Sequence, residues 1–238
     1  MIRFRPGYFG WLGNQMFQYA ATFAASKRLG VDCGFPENEP NLFDIFDLTA
    51  FKNKICTEYV YQEPTFEYTP IPERDGLTLS GYFQSEKYFK QFSEDVRKEF
   101  TFKQFIDPLE EGVVAVHVRR GDYTNLQDHH PLCTLDYYEK SMAMFEDSSF
   151  LVFSDDIEWC KENIKGPRVM YSEENSAARD LQLMASCDYN IIANSSFSWW
   201  GAWLNDNPYK KVIAPKVWFG KGKPLETKDI YCKDWIKL

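Results

Sequence analysis

The chain has 238 residues, 44% of them hydrophobic and 26% charged, enough to bury one large domain or two small ones. Its net charge of −8 disfavours nucleic acid or an anionic membrane as a general partner, while leaving room for a local basic pocket. No apolar run approaches the roughly 18 residues of a membrane helix. The start, Met1 to Gly7, also lacks the apolar stretch of a secretory signal, so the expectation is a soluble, cytoplasmic protein with no membrane span.

From the amino terminus, Asn14 to Leu29 places Phe17, Ala20, Ala21 and Ala24 at helical spacing, with Gly30 as a stop. Val31 to Gly34 reads as a short strand. Glu37 to Pro72 carries four prolines and reads as loop-rich. A strand is expected over Leu77 to Phe83 and a helix over Ser85 to Phe100. Beyond Glu111 the pattern turns regular. Val113 to Val116, Phe150 to Phe153, Tyr189 to Ala193 and Val212 to Ala214 are short apolar runs of the kind strands buried on both faces show. Helical segments lie between them at Asp136 to Phe145, Ile157 to Ile164 and Ala177 to Cys187. This alternation predicts an α/β fold with a parallel, doubly wound sheet.

The cysteines, Cys33, Cys56, Cys133, Cys160, Cys187 and Cys232, contain no C-x-x-C pair and read as buried free thiols. Aromatic residues make up 17% of the chain, which suits either stacking platforms or core filling; composition alone does not choose.

In an open parallel sheet, ligands bind beyond the carboxyl ends of the strands. Three exits here switch abruptly from apolar to polar: His117-Val118-Arg119-Arg120-Gly121-Asp122, then Ser154-Asp155-Asp156, then Asn194-Ser195-Ser196. Arg119 and Arg120 offer planar charged forks for phosphate oxygens. Asn194, Ser195 and Ser196 suit the start of a helix, whose amides and dipole attract anions. The Asp155 carboxylate suits a guanine edge. Together they describe a nucleoside diphosphate site. Each group also has a purely structural reading: surface arginines, acids opening a helix, an ordinary cap. Trp199, Trp200 and Trp203 fall with Ser196 at i, i+3, i+4 and i+7, the spacing of a core-facing helix. The Asp128-His129-His130 cluster precedes Pro131 and reads as loop; with no D-x-D triplet in the chain, no metal site is expected.

These motifs resemble the α-1,2-fucosyltransferase family, glycosyltransferase family 11. The resemblance rests on Leu12-Gly13-Asn14-Gln15-Met16-Phe17-Gln18-Tyr19-Ala20, Gly81-Tyr82-Phe83-Gln84-Ser85, His117 to Tyr123, Phe153 to Asp156, and Ile191 to Asn205. The motifs follow family order up to Phe219. Trp11 stands where the family usually has a glycine, Tyr189 where histidine is common, and the chain is short in its amino-terminal half.

The resemblance implies a GT-B-type fold of two Rossmann-like halves. Residues 1–105 would form a shortened acceptor-side half, and residues 106–238 the GDP-sugar-binding half with its parallel sheet. It implies GDP-fucose as donor, a glycan as acceptor, and no cofactor or required metal. Arg119 would stabilise the departing GDP, with Asp122 the candidate base. Asn14, Gln15, His117, Arg120, Ser154, Asp155, Asn194, Ser195 and Ser196 would bind the donor. The implied reaction inverts the donor's β anomer and makes an α-1,2 linkage to a galactose-type acceptor. The rival expectations are a transferase with the same donor but another acceptor or linkage, and a non-catalytic sugar-nucleotide or glycan-binding protein.

Overall fold

The computed structural model describes residues 1–7, 10–37, 41–54, 57–106, 109–173 and 176–238. Cys56 lies outside them. The chain forms two compact units, Met1–Phe105 with Glu226–Cys232, and Ile106–Leu225 with Lys233–Leu238.

In the first unit, β1 (Ile2–Phe4) is too short to stand out as a periodic run, yet Ile2 and Phe4 are fully buried. α1 (Leu12–Leu29) starts two residues ahead of the expected helix and buries Phe17, Ala20, Ala21 and Ala24; Gly30 ends it in the left-handed conformation. Then come β2 (Cys33–Phe35), α2 (Leu42–Ile45), β3 (Phe51–Lys52), β4 (Tyr59–Gln62), β5 (Leu77–Ser80) and α3 (Ser93–Glu99). Among the described residues the sheet has the order β3-β2-β1-β5-β4, with every pair parallel. The loop-rich stretch therefore holds α2 and two edge strands, β3 and β4.

Two expectations in this unit are corrected. The strand predicted to Phe83 stops at Ser80, because Gly81 and Phe83 both take positive φ and leave the extended region. The single helix predicted from Ser85 breaks into two 3₁₀ turns, Glu86–Tyr88 and Lys90–Phe92, before α3. Phe89, between the two turns, leaves the helical region at φ −131° and ψ 3°, and Phe92 leaves it again at φ −119° and ψ 29°.

The second unit runs β6 (Val113–Val118), α4 (Leu135–Met142), β7 (Ser149–Ser154), α5 (Ile157–Asn163), β8 (Val169–Tyr171), α6 (Ala177–Ser186), β9 (Tyr189–Ile191), α7 (Ser196–Leu204), β10 (Val212–Ala214) and β11 (Ile236–Lys237). Among the described residues its sheet order is β11-β10-β9-β6-β7-β8, again all parallel. All six residues of β6 are buried, as its apolar run predicts. The three tryptophans of α7 are core: Trp199 packs against Trp200, Trp203 and Trp235 with centroids 5.0, 6.3 and 5.4 Å away. Cys33, Cys160 and Cys187 are buried free thiols, whereas Cys133 and Cys232 are only half-buried. Among the described residues no helix is long and apolar enough to cross a membrane.

Candidate active site

Strand order brings the three polar exits of the second unit to one edge. β6 lies between β7 and β9, with Val118 opposite Ser154 and Val116 opposite Ile191. The segments at Arg119, Asp155 and Asn194 therefore leave neighbouring strands in the same direction.

Arg119 is held by two carboxylates. Its Nη2 donates to Asp122 Oδ1 at 2.5 Å, and its Nη1 lies 2.8 Å from Asp155 Oδ2. The Arg120 backbone N–H takes the other Asp155 oxygen at 2.8 Å, while Arg120 Nε donates to Asp156 Oδ2 at 2.9 Å. Gly121 makes this closeness possible, since a Cβ there would stand 2.4 Å from Asp155 Oδ2. Such part-exposed ion pairs add little to stability. Their consequence is orientation: a guanidinium fixed from two sides keeps its place without a ligand.

The surrounding rings escaped the site reading of the sequence. Arg120 lies over the Trp159 ring at 3.9 Å, and Arg119 over Tyr123 at 5.2 Å. The Tyr123 hydroxyl donates to the Asn194 carbonyl at 3.2 Å, and its ring stacks on His130 at 4.7 Å. Burial raises the Tyr123 hydroxyl to about 12, so it acts here as a donor. Tyr123 directly follows the arginine motif, and Trp159 lies one helical turn beyond Asp156. Those spacings were the available signals.

His117, on β6, is buried against Phe197 with ring centroids 5.6 Å apart. Burial, reinforced by the Arg119 charge, holds its pKa down to about 3, so the ring is neutral. Its Nδ1 is buried and makes no hydrogen bond among the described residues, the kind of orphan a ligand satisfies.

The remaining predicted residues differ in what they offer. Ser154 Oγ accepts from the Asp156 N–H at 2.9 Å, closing the turn into α5. The Asn194 amide donates to the carbonyls of Pro131 at 2.9 Å and Trp218 at 3.0 Å, and its Oδ1 accepts from the Cys133 thiol. Its side chain therefore ties loops together. Ser195 is the N-cap of α7, accepting from the Phe197 N–H at 3.3 Å, and Ser196 opens the helix. The first amides of α7 and its dipole thus emerge beside the arginine loop. Asn14 and Gln15 belong to the first unit. Asn14 Oδ1 accepts from Gln84 Nε2 at 2.6 Å, and Gln15 Nε2 donates to the Gly10 carbonyl at 3.5 Å. A cavity of about 460 Å³ in that unit, bordered by Phe43, Asp44, Lys52 and Lys103, includes none of these residues.

Guanidinium groups, helix amides and an unsatisfied buried imidazole at one sheet edge suit an anionic nucleotide. The chain is 31% identical to an alpha-1,2-colitosyltransferase of Escherichia coli, with 96% of each protein covered. It is 25% identical to the galactoside alpha-(1,2)-fucosyltransferase 2 of Oryctolagus cuniculus, over 88% of this chain and 73% of that one. In fold it is similar to the fucosyltransferase NodZ from Bradyrhizobium, with a TM-score of 0.54 and 12% identity over 84% of this chain and 92% of that one. It is likewise similar to apo POFUT1, with a TM-score of 0.53 and 14% identity over 90% and 97%. These likenesses, with two α/β units on parallel sheets, make the architecture GT-B-like. Residues 39–238 match the model of Glycosyl transferase family 11, and the chain belongs to that family.

Proposed function

We propose that the protein transfers L-fucose from GDP-β-L-fucose to a galactoside hydroxyl, with inversion, forming an α-1,2 linkage. The observation that carries this reading is the Arg119 guanidinium, fixed by Asp122 and Asp155 beside the start of α7. As the bond from sugar to phosphate breaks, negative charge grows on the β-phosphate. A pre-placed guanidinium gains most at that point and so lowers the barrier.

In this reading Arg120 and the α7 amides behind Ser195 and Ser196 hold the diphosphate. Asp155 and the orphaned Nδ1 of His117 read guanine. Ser154 and Asn194 support the donor site through the turns they close. Asn14 and Gln15 are assigned to the donor on their motif. Asp122 uses Oδ1 on Arg119; its Oδ2, with no hydrogen bond among the described residues, takes the acceptor proton. The charge is met by arginine and amides, so the reaction proceeds without a divalent metal.

Incubation with GDP-fucose and a panel of galactosides, with and without a chelator, tests this. The expected outcome is an α-1,2-fucosylated product in both arms. The absence of both transfer and GDP release would overturn the enzyme reading, a different linkage would overturn the acceptor geometry, and loss of transfer with chelator would overturn metal independence. A second reading, transfer of colitose to the same kind of hydroxyl, is favoured by the relative of 31% identity. Competition between nucleotide-linked fucose and colitose separates the two.

A further inference from the structure

Tyr123 stands in the 3₁₀ turn Asp122–Asn125, directly behind the two arginines. Its hydroxyl donates to the Asn194 carbonyl at 3.2 Å, and Asn194 immediately precedes Ser195, the N-cap of α7. Its ring lies beneath the Arg119 guanidinium at 5.2 Å. One side chain therefore touches both the charged fork and the backbone that opens the helix. Burial keeps the phenol protonated, and its proton is given to a backbone carbonyl, which is the work of a brace and not of an acid.

These contacts belong to a closed circuit within the second unit. The Asn194 amide donates to the carbonyls of Pro131 and Trp218. The neighbours of those two residues, His130 and Phe219, meet ring to ring at 5.5 Å, and His130 stacks on Tyr123 at 4.7 Å. The loops that carry them are fastened through their backbones. Gly220 N–H donates to the His129 carbonyl at 2.9 Å, and Gly222 N–H to the Asp128 carbonyl at 2.7 Å. A Cβ at Gly220 would stand 2.3 Å from that Asp128 oxygen, so the approach requires a glycine. His130 takes part only through its ring: its Nδ1 is buried without a hydrogen bond among the described residues, and burial lowers its pKa. The path that leaves Tyr123 by its hydroxyl thus returns to it by its ring. Packing and hydrogen bonds that close on themselves lock the side chains they include.

We propose that Tyr123 is a positioning residue, holding the Arg119 guanidinium and the first amides of α7 in the register that a departing diphosphate requires. This inference rests on the fucosyl-transfer reading and adds to it the group that keeps the two anion-binding elements together. Charge on the β-phosphate grows as its bond to the sugar breaks. A small error in register therefore costs more in the transition state than in the bound donor, and the effect falls on kcat.

Tyr123→Phe keeps the ring beneath Arg119 and removes only the bond to Asn194. In the full chain, kcat with GDP-fucose and a galactoside should fall about tenfold, while GDP affinity, measured by calorimetry, changes by less than about threefold. A kcat within about twofold of the wild type overturns the positioning role. So does a loss of GDP affinity as large as the fall in kcat, the mark of a site deformed as a whole. Should Tyr123→Phe fail to fold, the His130 variants carry the test. His130→Ala opens the circuit on its ring side and should lower kcat in the same pattern, and His130→Phe should recover most of that loss. Equal kcat in the two His130 variants overturns the proposal. A wild type that binds GDP but transfers no sugar from GDP-fucose overturns the reading of function instead.

Discussion

The Arg119 guanidinium lies 2.8 Å from Asp155, so the loop after β6 is locked to the exit of β7. Both side chains are about a quarter exposed, which keeps the pair's contribution to stability within about 1 kcal/mol. Its value lies in geometry, because a charge that must stabilise a leaving phosphate has to be in place beforehand. Gly121→Ala tests this directly. The added methyl would push on Asp155 and pull it from Arg119, lowering kcat/KM about 10²-fold in protein verified as folded. Full activity in that variant would show that the contact does not position the guanidinium.

Asp122 is bonded to Arg119 through one oxygen and is the candidate base through the other. Asp122→Asn preserves the bond and removes the base. Turnover should fall by about 10²-fold or more. Turnover close to that of the wild type would leave Asp122 only its ion pair.

His117 predicts a pH dependence of stability. Its folded pKa is pushed down to about 3 from the ordinary 6.5, so the unfolded chain binds a proton that the folded one refuses. The group's contribution is full above pH 6.5 and is lost as pH falls toward 3, at no more than about 1.4 kcal/mol per pH unit. Urea unfolding across that range should give a shallower slope for His117→Gln than for the wild type. Equal slopes would mean that His117 is not held neutral.

Trp199 is fully buried and touches three other indoles. Trp199→Ala should cost about 3–5 kcal/mol, measured by denaturant unfolding. A loss below about 1 kcal/mol would remove it from the core.

The second unit was the more legible in the sequence, because a parallel sheet covered on both faces writes its strands as apolar runs ending in polar residues. Val113 to Val118 feeding Arg119 is the clearest case. β1 and the short edge strands β3, β8 and β11 left no such signal, having two or three residues each, with a basic residue interrupting β1, β3 and β11. Residue types marked which exits carry charge, but not how that charge is shared. The arginines are paired with Asp122, Asp155 and Asp156, and the Asn194 amide is spent on two loop carbonyls. Apart from Asp122, three residues from Arg119, those partners come from segments 24 to 63 residues away.

The most direct measurement is the turnover of Arg119→Ala with GDP-fucose and a galactoside acceptor, on protein verified as folded by its thermal midpoint. A fall in kcat of about 10²–10³ or more is expected, the scale of losing one donor to a developing oxyanion. Turnover close to that of the wild type would contradict it.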